Sequence, residues 1–186
     1  GFGVCGDDAS DYNVSLLNAG WYYDWKVNQS PELHKHEYVQ TVRLKATSDG
    51  YRAVPTGTAL SSVIGAQPGA SWFIGNEPDC IWQDNLRSEV YARAYHDLYY
   101  KIKEADPTAR IGVGSIVQPT PQRMRYLERV LAAYEARYGE ALPTDMWVIH
   151  NYILCETCFD GDGFPWGACP VPDWAESDSP PEDAVT

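Results

Sequence analysis

The sequence predicts an α/β fold in which short parallel strands alternate with helices. Three observations predict it. Apolar, β-branched and aromatic runs recur along the chain, two stretches between them repeat at helical spacing, and Gly, Pro or Asp-Pro separates the two kinds of segment. Parallel strands cannot be joined by tight turns, so such alternation implies strand–helix crossovers.

Gly1 to Gly6 is a short apolar run, and Asp8 to Asn18 suits a short helix ended near Gly20. Gly20 to Val27 carries Trp21-Tyr-Tyr-Asp-Trp25, an aromatic strand, and Glu37 to Lys45 reads as a third. Thr58 to Gln67 is a helix broken by Gly69. Trp72 to Glu77 is a fourth strand, stopped by Pro78. In Ser88 to Ala105, Tyr91, Tyr95, Leu98 and Ile102 share a helical face, and Asp106-Pro107 ends it. Arg110 to Val117 is the fifth strand. Its Gly112 and Gly114 are explained by close packing, since no phosphate-binding glycine pattern follows. Thr120-Pro121 opens a helix with Met124, Leu127, Leu131 and Tyr134 as its expected buried stripe and Gly139 as its stop. Asp145 to Leu154 is the sixth strand.

Read as a (β/α) barrel of the TIM type, the pattern is incomplete, with about six βα units: a closed barrel of eight takes about 250 residues and this chain has 186, which leaves a fragment, an unusual closure or an open sheet. Residues 1–155 form the partial barrel, and 156–186 are a Cys-, Gly- and Pro-rich loop with an acidic tail. An open barrel exposes strand edges, so self-association or a partner chain covering them is expected.

Composition narrows the partners. The net charge of −12 offers no basic stripe for nucleic acid, and no apolar run reaches the 18 or so residues of a membrane span. Seven Trp and thirteen Tyr can stack on sugar faces as well as fill a core. No cofactor is expected. Five cysteines (Cys5, Cys80, Cys155, Cys158 and Cys169) suit disulfides in an exported protein, one thiol staying unpaired. The alternative is zinc held by the last four, at a spacing unlike a finger or ribbon. His34 and His36 lie in a polar loop and receive no metal role.

In parallel α/β sheets the working residues gather at the C-terminal strand ends. Those ends carry Asp7; Asp24 and Trp25; Asn76 and Glu77; Gln118; and His150, Asn151 and Tyr152. A carboxylate at the mouth of a buried strand is placed for proton transfer. Plainer alternatives stand beside each: a helix-capping or paired Glu77, a core His150, a salt-bridged Asp24, and packing roles for Trp25 and Trp82.

Asn76-Glu77-Pro78 and His150-Asn151-Tyr152 resemble the strand-4 and strand-6 motifs of clan A glycoside hydrolases, retaining (β/α)8-barrel enzymes. Trp21-Tyr-Tyr-Asp-Trp25 is similar to an aromatic strand of endo-β-1,3-glucanase-like members. The resemblance covers about residues 1–155. It implies a hydrolase of β-linked polysaccharide or oligosaccharide with Glu77 as general acid/base, and with the cysteines an extracellular location is expected. Asn76 would meet the sugar 2-hydroxyl, and Asp24, Trp25, Trp82, His150 and Tyr152 would contact carbohydrate. The second carboxylate, a Glu ending strand 7 in the clan, has no counterpart here; Glu156, Asp160 and Asp162 lack the strand context. The alternative is a non-catalytic carbohydrate-binding or structural, assembly-forming protein on a degenerate barrel.

Overall fold

A computed structural model describes residues 1–6, 9–33 and 35–153. Its strands are β1 (Phe2–Gly3), β2 (Trp21–Tyr23), β3 (Glu37–Tyr38), β4 (Gln40–Thr47), β5 (Gly50–Val54), β6 (Ser71–Asn76), β7 (Arg110–Ile116) and β8 (Met146–Ile149). Its helices are α1 (Gly57–Ala66), α2 (Ser88–Ala105) and α3 (Pro121–Tyr138). Val39 alone separates β3 from β4, and its amide donates to the Tyr22 carbonyl, so the two segments are one interrupted strand. The parallel order is therefore β1, β2, β3/β4, β6, β7, β8, with neighbours in sequence also neighbours in space. This is six strands of an incomplete (β/α) barrel, as the alternation predicts.

The register assigns the two faces. Phe73 pairs with Gly112 and Gly112 with Met146, while Ile74 pairs with Val113 and Val113 with Trp147. Side chains alternate with period two. Trp72, Ile74, Ile111 and Val113 thus face the helices and are buried with Tyr91, Tyr95, Leu98 and Ile102 of α2 and Tyr126, Leu127, Val130 and Tyr134 of α3. Burying each such side chain stabilises the fold by roughly 1.5–3 kcal/mol. Trp147 and Ile149 continue the helix-facing row on β8 and are exposed.

Four local expectations change. The segment after β1 forms 3-10 turns (Ala9–Asp11 and Val14–Leu17) rather than an α-helix. The buried face of α3 runs through Tyr126 and Val130, and Met124 and Leu131 are half-buried. The strand expected over Glu37 to Lys45 extends to Thr47 and turns back as the antiparallel β5, with Thr47 opposite Gly50. The second and sixth strands are shorter than the apolar runs that announce them.

Gly114 accounts for part of the Gly-Val-Gly in β7. A Cβ there would fall 2.3 Å from the Ile74 carbonyl oxygen, so packing between β6 and β7 admits no side chain. Residues 154–186, with Cys155, Cys158, Cys169, Glu156, Asp160 and Asp162, lie outside the described residues, as do Asp7 and His34. Cys5 and Cys80 are free thiols, the first exposed and the second buried. No described helix is long and apolar enough to cross a membrane.

Candidate active site

The C-terminal end of β6 is bent out of regular geometry. Gly75 has φ +86° and Glu77, without glycine's freedom, has φ +47°. The turn re-aims Glu77 and is held by its neighbours. The Glu77 amide donates to the Ser115 carbonyl at 2.8 Å, and the Cys80 amide donates back to the Glu77 carbonyl at 3.0 Å. A non-glycine residue in this region persists only where surrounding contacts over-determine it, and such positions cluster at functional sites.

Two buried aspartates bracket the turn. Asp84 accepts from the Asn76 amide at 2.7 Å, the Leu44 amide at 2.9 Å and Arg43 Nε at 2.7 Å. It thereby ties β6 to β4. Burial pushes its carboxyl up, against the opposing charge of Arg43. Asp79 accepts from Arg123 Nη1 at 3.1 Å and from the Val117 amide at 3.3 Å, and Arg123 also donates to the Asp79 carbonyl. Burial raises the Asp79 carboxyl to about 6, with Arg123 pulling the other way.

The carboxyl of Glu77 meets an imidazole: His150 Nδ1 lies 2.7 Å from Oε1, both side chains mostly buried. The His150 amide donates to the Ile116 carbonyl, fixing the residue just past β8. The His150 ring packs edge-on against Tyr152 at 5.4 Å. Glu77 and His150 are 73 positions apart in sequence, and adjacent strand ends bring them together.

His150 also lines a trough of about 480 Å³ on the concave face of the sheet, with Tyr23, Val39, Phe73, Met146 and Val148 among its walls. At the far end, where the strands begin, Glu37 receives hydrogen bonds from Ser71 and Arg110. Burial alone would raise the Glu37 carboxyl, but those bonds and the Arg110 charge outweigh it and hold it below its ordinary value. Tyr23 sits by the Glu77 end: burial, with the charges of Tyr152 and Glu77, pushes its phenol up to about 12. Tyr23 was not among the expected site residues. Its signal was available, because period-two alternation puts Tyr23 on the same side of β2 as Trp21.

The expected residues separate into groups. Asn76, Glu77, His150 and Tyr152 are brought together. The Trp25 ring stands 4.6 Å from that of Tyr23 and extends the same aromatic wall. Asn76 Nδ2 lies 3.4 Å from Gln83 Oε1. Asp24 turns away from this group, accepting from the Tyr38 hydroxyl and, at 3.2 Å, from the Lys26 amide. Trp82, on the β6–α2 connection, is 63% exposed and stands apart from the trough's lining. Among the described residues no cluster of three or more His, Cys, Asp or Glu is arranged to hold a metal ion.

Parallel strands around a concave face, with a carboxyl–imidazole pair at their C-terminal ends, define an incomplete (β/α)-barrel module. The chain belongs to the glycosyl hydrolase catalytic core family, whose model matches residues 2–161. No curated protein matches the sequence. Solved structures share the fold. One is a GH128 subgroup II endo-β-1,3-glucanase from Pseudomonas viridiflava, with a TM-score of 0.61 and 21% identity over 81% of this chain and 60% of that one. A second is a subgroup III curdlan-specific exo-β-1,3-glucanase from Blastomyces gilchristii in complex with glucose, with a TM-score of 0.59 and 19% identity over 82% and 61%. A third is a subgroup I endo-β-1,3-glucanase from Amycolatopsis mediterranei in complex with laminaritriose, at 0.57 and 18% over 82% and 56%. This chain thus spans about 60% of the length of the first.

Proposed function

We propose that this chain carries the acid/base half of a retaining glycoside hydrolase acting on β-1,3-linked glucan. The observation that carries the proposal is Glu77. It ends a central strand in a strained conformation, mostly buried, with its carboxyl against an imidazole that lines the trough. In the first half-reaction Glu77 protonates the departing glycosidic oxygen. In the second it takes a proton from the water that attacks the glycosyl intermediate. His150 orients the carboxyl between the two steps. Asn76 meets the 2-hydroxyl, and Tyr23, Trp25 and Tyr152 form a wall for sugar rings, with Trp82 contacting a more distant unit of the polymer.

Retention needs a second carboxylate about 5–5.5 Å from the first. The only carboxylate lining the described trough, Glu37, lies at its opposite end and is held by Ser71 and Arg110. We assign no nucleophile to the described residues. The β-1,3 linkage is drawn from the structural neighbours, which are β-1,3-glucanases, one of them in complex with laminaritriose. A polymeric substrate of this kind suits a protein acting outside the cell.

The test is hydrolysis of soluble β-1,3-glucan. Glu77→Gln keeps the shape and removes the transferable proton, and turnover is expected to fall by about 100-fold or more while the fold is kept. Unchanged turnover rejects the assignment. Trp25→Ala is expected to raise KM with a smaller effect on kcat, because it removes a stacking surface and no reacting group.

A further inference from the structure

We propose that Asp79 and Arg123 are a positioning pair for Glu77: α3 reaches through them to lock the loop that carries the acid/base. The inference rests on Glu77 having the role given above.

The contacts make a three-point clamp. Arg123 donates both to the carboxylate and to the main-chain oxygen of Asp79, two residues after Glu77. The Val117 amide, just past β7, also donates to that carboxylate. Ser115, two positions before Val117, supplies the carbonyl that accepts the Glu77 amide. The left-handed backbone of Glu77 is therefore held by β7 directly, and by β7 and α3 through Asp79. Both contacts come from one nitrogen, Nη1, which the rigid planar guanidinium holds against the two acceptors at once.

A purely structural role explains the pair poorly. Both side chains are 1% exposed, and Asp79 Oδ1 is buried with no hydrogen-bond partner. A buried ion pair repays its desolvation only when its remaining lone pairs are satisfied, and well-packed apolar residues often replace such pairs without loss. Neither Asp79 nor Arg123 lines the trough, so they act on catalysis only through Glu77.

The experiment compares wild type with Arg123→Lys and with the double variant Asp79→Asn/Arg123→Met, which leaves no buried charge unpaired. Three quantities are read: the melting temperature, kcat and KM on soluble β-1,3-glucan, and the ring 15N shifts of His150. The double variant is expected to melt within a few degrees of wild type. Its kcat falls by about 100-fold, the scale expected when a reacting group is misplaced by about 1 Å. KM changes less than about twofold, since uniform binding is untouched. The His150 Nδ1 shift moves away from its hydrogen-bonded value. Arg123→Lys keeps the charge and loses the rigid planar group that sets Nη1 against both acceptors, so the same changes appear at smaller size. If the double variant does not fold, Arg123→Lys carries the test alone. Wild-type kcat together with wild-type His150 shifts in whichever variants fold overturns the proposal. So does a kcat loss that disappears once variants are compared at equal distance from their melting temperatures. Failure of the catalytic assignment is separable: Glu77→Gln would retain full turnover, while the His150 shifts still report whether the pair holds the Glu77 contact.

Discussion

Replacing Asp84 with alanine should be among the most damaging single changes in the chain, although Asp84 lies on a connection between elements. Its side chain is fully buried, and two main-chain amides, those of Leu44 and Asn76, depend on it. Each amide left without an acceptor costs about 1–3 kcal/mol. The third partner, Arg43, is 29% exposed and regains water, so it adds little to the loss. The expected destabilisation is about 4 kcal/mol, mostly from those two orphaned donors. Urea unfolding reads it directly: with a slope near 2 kcal/mol per molar, the midpoint drops by about 2 M. Asp84→Asn keeps an acceptor oxygen but loses the charge assistance, and about half the loss is expected. A midpoint shift below about 0.5 M for Asp84→Ala, at unchanged slope, would refute the reasoning, because the amides would then have found other acceptors.

Two further perturbations probe the same strand end and the fold around it. Gly75→Ala forces a side chain onto a φ of +86° and sets its Cβ 3.1 Å from the Tyr91 ring and 3.3 Å from Asp84; thermal unfolding should show a loss of about 2 kcal/mol. Asp106 accepts from the Gly69 amide at 2.7 Å and the Thr108 amide at 3.0 Å. Burial alone would raise its carboxyl, but the bonds from Thr108 and Gly69 outweigh this and hold it below the ordinary 3.8. The unfolded chain then binds the proton more tightly, so this stability is present above pH 3.8 and is lost as the pH falls through the lower folded value. Melting temperatures measured from pH 6 down to 2 should fall less steeply in Asp106→Asn than in wild type; parallel slopes would count against it.

The strands and their polar ends were legible because both signals are local. An apolar run followed by Asn-Glu-Pro or His-Asn-Tyr needs no partner to be read. The helical face of α2 was equally legible, since Tyr91, Tyr95, Leu98 and Ile102 recur at one spacing and all four are buried. What escaped notice was long-range. Arg123 looks like a surface residue on its helix, and only the fold shows that it is buried against a loop 44 positions away. Asp79 and Asp84 sit in a connection with no periodicity, so nothing in their spacing announces that they bracket Glu77. The β4–β5 hairpin is a different kind of miss: Asp49-Gly50 between two β-rich runs is a turn signal. The expected α3 stripe slipped because Met124 and Leu131 are apolar enough to pass as core, whereas Tyr126 and Val130 do the packing.

The two glutamates associated with the concave face show how one sheet gives the same side chain opposite properties. Glu37, where the strands begin, meets a hydroxyl at 2.5 Å and a guanidinium. These hold it ionised, and a carboxylate tied to a permanent cation cannot lend a proton to an acetal oxygen. Glu77, where the strands end, faces an imidazole and, among the described residues, forms no ion pair with lysine or arginine. A carboxyl not tied to a permanent cation is free to give up a proton in one step and take one back in the next. The cations near this rim are spent elsewhere. Arg43 is paired with Asp84 and Arg123 with Asp79, each one connection away from Glu77. The buried aspartates therefore shape the turn and hold both arginines in pairs of their own. Moving either charge pair is a change to the chemistry of the strand end as much as to its stability.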